Sequence, residues 1–292
     1  MTLKIAIAQI DIALGKPAIN EQTVIEYAQK AAAVEADILV YPEMWNTGYD
    51  LLNLETVADP QGQRSVNLLR DLAKKYHLNI VGGSVATAQA ENKFYNTMFV
   101  FNDKGEQVSE YNKLHLFGLM NEEKFMSAGN KTNLFDLADV PSAGAICYDI
   151  RFPEWLRTMM SQGPQEILYI VAEWPIQRIK QWQLLLQARA IENQTFVVAA
   201  NRVGRDNNNT FGGRSLIIDP LGNIVQQASD DKVELLVAEI NINDEKLFEE
   251  KSQCLAIVVQ NFTDKVNNVC ILKNPTYLKH YLNNFLQHLL PK

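Results

Sequence analysis

The chain is poor in cysteine, with three in 292 residues, and poor in histidine, with four. Cys147, Cys254 and Cys270 form an odd set without a Cys-x-x-Cys pair, and the histidines at 77, 115, 280 and 288 are scattered. Neither a disulfide framework nor a metal site is expected from such spacing. No run reaches roughly 18 consecutive apolar residues, which speaks against a membrane span. The opening MTLKIAIAQIDIALG has no small-residue cleavage site behind a long apolar region, so it reads as a first strand and not as a signal peptide. Basic charge is also short: 27 Lys plus Arg stand against 34 Asp plus Glu, a net charge of −7 with no basic stripe. Nucleic acid is therefore not an expected partner, and a soluble cytoplasmic protein is. Residues 1–250 contain no Gly-, Pro- or Ser-rich linker and no repeat of solenoid period, and they are read as one domain.

What the chain does have is 47% hydrophobic residues, enough for a large core. Apolar β-rich runs alternate with helical stretches: KIAIAQI, NEQTVIEYAQKAAAVEA, DILVYPE, SVNLLRDLAKKYH, NIVGGSV. That order predicts an α/β protein. Val24, Ala28, Ala31 and Ala32 recur at helical spacing and predict one helix face laid on a sheet. TMFVFND and EQVSEYNK are joined by Asp103-Lys104-Gly105, and SLII and NIVQQA by a stretch containing Pro220 and Gly222. Both read as antiparallel hairpins.

Cys147 lies in PSAGAICYDIRFPEWLR, after a short apolar run and just before a helix expected to start near Phe152-Pro153-Glu154. A lone cysteine in an apolar run is ordinarily packing. Here Asp149, Arg151 and Glu154 follow at once, and a strand-to-helix turn would expose a thiol at a sheet rim beside helix amides. Glu43 ends DILVYPE, at the carboxyl end of a strand expected to be parallel, which is where open α/β sheets bind ligands. Alone it could equally be the first solvated residue of a loop. Trp45, Asn46, Gly48 and Tyr49 after it look like a pocket wall. Lys113 closes EQVSEYNK ahead of the apolar-aromatic LHLFGLM, where an ammonium serves either as a salt-bridge partner or as a stabiliser of developing negative charge.

Together YPEMWNTGYD, YNKLHLF and AICYDIRFPEWLR resemble the nitrilase superfamily of carbon–nitrogen hydrolases, with Glu, Lys and Cys in the family's chain order. The resemblance runs from Lys4 to about Glu250. It implies a four-layer αββα sandwich and no cofactor. It also implies that Cys147 attacks the substrate carbon, that Glu43 carries the proton, and that Lys113 and the backbone N–H of Tyr148 hold the oxyanion. A second family glutamate is matched to Glu122, with Glu123 adjacent, and is implied to orient Lys113. Tyr49, Phe117, Arg151, Glu173 and Trp174 are the implied substrate-pocket residues. Arg189 and Glu192 on one helix face read as a structural ion pair.

Tyr148-Asp149 after the nucleophile is similar to the amidase branches, whereas true nitrilases tend to have Trp-Glu. Ala-Glu-Trp-Pro with Arg178 and ARAIENQ looks most like the omega-amidases, implying the terminal amide of a short α-keto dicarboxylic acid as substrate. Arg151 and Arg178 are both candidates for its carboxylate. The alternatives are a deaminated glutathione amidase, an N-carbamoyl hydrolase or, in another class, a non-catalytic thiol protein. A homodimer or higher homo-oligomer is implied as well. After about Glu250 the family pattern fades and no arginine follows Arg214, so residues 251–292 read as an atypical tail, either a genuine extension of strands plus a helix or the product of a shifted reading frame.

Overall fold

The computed structural model describes residues 1–90, 93–163 and 165–243. The tail expected over 251–292 lies outside the described residues. Met1–Ile242 form one compact unit.

In chain order the elements are β1 (Thr2–Gln9), α1 (Pro17–Ala33), β2 (Ile38–Val40), α2 (Leu54–Val57), β3 (Asp59–Pro60), α3 (Gln63–Tyr76), β4 (Asn79–Val81) and β5 (Val85–Gln89). Then come β6 (Lys93–Phe101), β7 (Gln107–Asn112), α4 (Glu122–Phe125), β8 (Leu134–Leu137), β9 (Val140–Ile146), α5 (Pro153–Met160) and β10 (Ile167–Ala172). The last are α6 (Ile179–Asn193), β11 (Phe196–Asn201), β12 (Leu216–Ile218), β13 (Ile224–Gln227) and β14 (Glu234–Asn241). One sheet runs β14-β1-β2-β4-β6-β5-β3, with β7 also paired to β6, and the other runs β13-β12-β11-β10-β9-β8.

The inner strands β1, β2 and β4 are mutually parallel, as are β9, β10 and β11. Parallel strands covered on both faces need apolar side chains on both. In β1, Ala6 and Ala8 join the cluster that packs under Val24, Ala28 and Ala31 of α1 and Leu69 and Leu72 of α3. Ile5 and Ile7 alternate to the opposite face and are equally buried. Helix, sheet, sheet and helix thus stack in the expected αββα order, with β1 against β11 and α6 against β11 on its outer side.

The two hairpins form as read. β6 and β7 pair antiparallel, and Gly105 in the turn has φ +75, a conformation that costs an L side chain. At the carboxyl end of β2 the chain passes over Gly83, where a Cβ would meet Pro42 O at 2.0 Å. The segment carrying Glu43 therefore rides directly on the loop after β4.

Candidate active site

Two sheets each contribute part of the site at the carboxyl ends of their strands. Glu43 follows β2 and Lys113 directly follows β7 in one sheet. Cys147 directly follows β9 and Glu173 directly follows β10 in the other. Glu43, Lys113 and Glu122 are each 0% exposed and Cys147 is 4% exposed, so every charge there must be answered by a protein group.

Glu43 divides its two oxygens. Oε1 accepts from Tyr49 Oη at 2.8 Å, Asn96 Nδ2 at 2.8 Å and Lys113 Nζ at 2.9 Å. Oε2 accepts the backbone N–H of Glu173 at 2.8 Å. The Cys147 thiol lies close enough to feel both charges of this pair, the Glu43 carboxylate and the Lys113 ammonium. Lys113 Nζ reaches on to Glu122 Oε2 at 2.7 Å, and that oxygen also accepts the N–H of Phe117 at 2.8 Å. Glu122, not the exposed Glu123, is therefore the second carboxylate on the lysine.

Burial acts on all four groups, but with different net results. It pushes Glu43 up, yet the Lys113 ammonium, the Glu173 N–H and the Tyr49 hydroxyl outweigh it and leave Glu43 lowered. Burial would lower Lys113, but Glu122, Glu43 and Cys147 hold it well above the usual lysine value. Glu122 ends raised, by burial and then by Glu43, against the pull of Lys113. Cys147 is pushed well above an ordinary thiol by burial and by the Glu43 charge, which exceed the help from Lys113. The resting set is a carboxylate, an ammonium and a neutral thiol.

Cys147 itself has φ +46, a left-handed conformation that is costly for a side-chain-bearing residue. It opens a 3-10 turn, Cys147–Arg151, before α5, a feature beyond the simple strand-to-helix turn expected. The donors of a first helical turn have no intrahelical acceptor, which is where the N–H of Tyr148 lies. Asp149 secures this elbow. Its Oδ2 accepts from Ile146 N–H at 3.0 Å and Tyr111 Oη at 2.8 Å, and its Oδ1 from His115 N–H at 2.9 Å. From the far side, Arg189 donates twice to Ile150 O, at 2.9 and 2.7 Å, and pairs with Glu192 at 2.9 Å. That pair is structural, as its position on the helix face predicted.

A narrow cavity beside the thiol is lined by Phe117, Tyr148, Arg151, Trp174 and Arg178. Arg151 lies over the Tyr148 and Trp174 rings at 5.8 and 5.3 Å and donates to Gln181. Arg178 lies over Phe117 at 5.7 Å, and among the described residues its guanidinium has no carboxylate partner. Two expectations change. Trp45 is not a pocket wall: it is buried in the helix-side core, with its indole N–H on Gly82 O at 2.7 Å. Glu173 sends its backbone toward Glu43 and its carboxylate away, to Arg202 at 3.0 Å.

Asn96 and Arg202 were not singled out from the sequence. Asn96 donates to both Glu43 and Glu122, and its only signal was an amide inside an otherwise apolar-aromatic strand. Arg202 carried no local signal. Among the described residues no cluster of His, Cys, Asp and Glu is suited to a metal ion, and no helix is long and apolar enough to cross a membrane.

Comparison with known proteins places the fold and the family. The 2-oxoglutaramate amidase of Bacillus subtilis is 43% identical over 244 residues, covering 84% of this chain and 93% of that protein. The omega-amidase YafV of Yersinia enterocolitica is 34% identical over 218 residues, covering 74% of this chain and 82% of its own. Among solved structures, a CN-hydrolase superfamily protein of Xanthomonas campestris with an arsenic adduct in its active site superposes with a TM-score of 0.81 at 27% identity, over 88% of this chain and 97% of its own. The carbon–nitrogen hydrolase family model matches residues 4–248, and with the two-sheet fold and its rim of buried ionisable groups, the chain belongs to the carbon–nitrogen hydrolase family.

Proposed function

We propose that this enzyme hydrolyses the terminal amide of a short α-keto dicarboxylic acid monoamide, of the 2-oxoglutaramate kind, through a thioester on Cys147. The observation that carries this reading is the buried Glu43–Lys113–Glu122 set at the strand ends, with the buried Cys147 thiol within reach of its charges. A structural cysteine needs no carboxylate and ammonium desolvated beside it.

As the thiol sulfur adds to the amide carbon, its proton passes to Glu43. The carbonyl oxygen becomes an oxyanion held by Lys113 Nζ and the N–H of Tyr148, donors already in place in a site without bulk water. When the intermediate collapses, the C–N bond breaks, Glu43 returns the proton to the leaving nitrogen, and ammonia departs. Glu43 then takes a proton from water as it attacks the thioester, and the acid and the free thiol are released. Glu122 keeps Lys113 aimed.

The substrate class is supported by the relatives named 2-oxoglutaramate amidase and omega-amidase and by the two arginines at the cavity. A guanidinium without a protein carboxylate is a ready partner for a substrate carboxylate, and Arg178 fits that description better than Arg151, which Gln181 engages. A cytoplasmic location and a homodimeric assembly belong to the same proposal.

Ammonia release from 2-oxoglutaramate by wild type and by Cys147→Ala tests it. Loss of release in the variant is expected, and equal release from both proteins would overturn the mechanism.

A further inference from the structure

A buried arginine beneath the site joins its two halves. Arg202 directly follows β11 in the second sheet and is 0% exposed. Its Nη1 meets Glu173 Oε2 at 3.0 Å, and its Nη2 meets Asp11 Oδ1 at 2.7 Å and Ile12 O at 2.9 Å. Nε donates to Val203 O at 3.0 Å, and the guanidinium lies 4.2 Å from the centre of the Phe211 ring. Asp11 and Ile12 follow β1, in the first sheet. The backbone repeats the link: Asp11 and Val203 form an isolated parallel bridge, and Val203 N–H donates to Ile10 O at 3.0 Å. Gly204 leaves room for the Asp11 carboxylate, since a Cβ there would stand 2.0 Å from Asp11 Oδ1.

The other end of the chain of contacts is Glu43. Residue 173 belongs to the second sheet, and its N–H is the backbone donor on Glu43 Oε2, an oxygen belonging to the first. The base and the ammonium come from one sheet and the nucleophile from the other, so the approach of Glu43 to Cys147 depends on how the two rims are held. A displacement of about 1 Å between reacting groups costs on the order of a hundredfold in rate.

We propose that Arg202 is a positioning residue for the general base: it fastens the rims of the two sheets through Asp11 and Ile12 and, through Glu173, sets the N–H that fixes Glu43 Oε2. The inference rests on the hydrolysis proposed at Cys147. A planar fork is required because two side-chain carboxyl groups and two backbone carbonyls must be met in fixed directions, which a lysine ammonium cannot do. Asp11, with its side chain 54% exposed, is the end of the chain that can be removed at least cost to folding.

The test is steady-state kinetics on 2-oxoglutaramate with full-length Arg202→Lys, Arg202→Met and Asp11→Ala, each checked for folding at the assay temperature, with Cys147→Ala alongside. Positioning through Glu43 predicts that Arg202→Lys lowers kcat by about 10- to 100-fold while KM stays within about twofold, and that Asp11→Ala lowers kcat by a smaller factor in the same pattern. If Arg202→Met does not fold, the other two variants decide. Folded Arg202→Lys and Asp11→Ala proteins that keep wild-type kcat, or that change only KM, would overturn the inference. Activity in Cys147→Ala would instead overturn the underlying reaction.

Discussion

Glu43 Oε1 and Lys113 Nζ lie 2.9 Å apart with neither side chain exposed. In the proposed mechanism the proton acceptor and the cation that meets the oxyanion thus share one desolvated ion pair. Glu122 competes for the same ammonium at 2.7 Å, so two carboxylates face one positive charge. A resting thiolate would add a further negative charge to this set, which is why the Cys147 thiol is held up by burial and by Glu43. In the proposed mechanism deprotonation is therefore tied to substrate, the sulfur losing its proton as the new oxyanion begins to use the ammonium.

Replacing Glu43 by Gln separates reactivity from catalysis. Hydrolysis falls by about a hundredfold or more, because the proton carrier is gone. The thiol nevertheless becomes easier to ionise, since the Glu43 charge that raised it is removed while Lys113 remains. Iodoacetamide should label Cys147 faster in Glu43→Gln than in wild type near neutral pH, as followed by intact mass. Slower labelling in the variant would contradict the charge balance described above.

Arg178→Met tests carboxylate recognition. Loss of a charge-assisted contact worth about 1.5–3 kcal/mol raises KM for 2-oxoglutaramate by about tenfold to a hundredfold. Butyramide, which carries no carboxylate, loses much less. The ratio of kcat/KM between the two amides is the measurement, and an unchanged ratio would remove Arg178 from the recognition scheme.

Asp149→Ala strands buried donors on Ile146 and Tyr111 and a half-buried one on His115. Each unsatisfied buried group costs about 1–3 kcal/mol, so a total destabilisation of about 3 kcal/mol or more is expected. Urea unfolding at unchanged m value reads it directly. Activity falls with it, because the same bonds hold the turn that presents Cys147.

Glu173 gives the stability of the fold a pH dependence. Burial, against the pull of Arg202, pushes its carboxyl from 4.5 up to about 8, and its Oε1 has no hydrogen-bond partner among the described residues. As pH rises from 4.5 toward about 8, the unfolded chain releases this proton while the folded one keeps it. The raised value therefore stabilises the fold fully at low pH, and that contribution is lost through this window. Glu173→Gln has no such titration. Across this range the melting temperature of wild type should fall relative to the variant, and parallel curves would contradict the assignment.

Much of this protein was written locally. Alternation of apolar runs with helical periodicity placed β1, α1, α3 and the β6–β7 hairpin, because burial of one face has a period that the chain itself displays. The segments around Glu43, Lys113 and Cys147 were legible as motifs for the same reason: each sits where a strand ends, and strand ends can be read from sequence. Periodicity says that a face is buried, but not against what. Trp45 therefore looks like pocket wall in the sequence when it is core, and Glu122 is separated from its neighbour Glu123 physically only once one faces Lys113 and the other solvent. The bonds that unite the site span 130 residues from Glu173 to Glu43 and 191 from Arg202 to Asp11. Contacts of that range leave no local pattern, since they exist only once two separately formed sheets pack face to face. By itself the sequence determined the elements and put forward the candidate reactive groups; tertiary packing decided which groups share the oxygens of Glu43, and what holds them there.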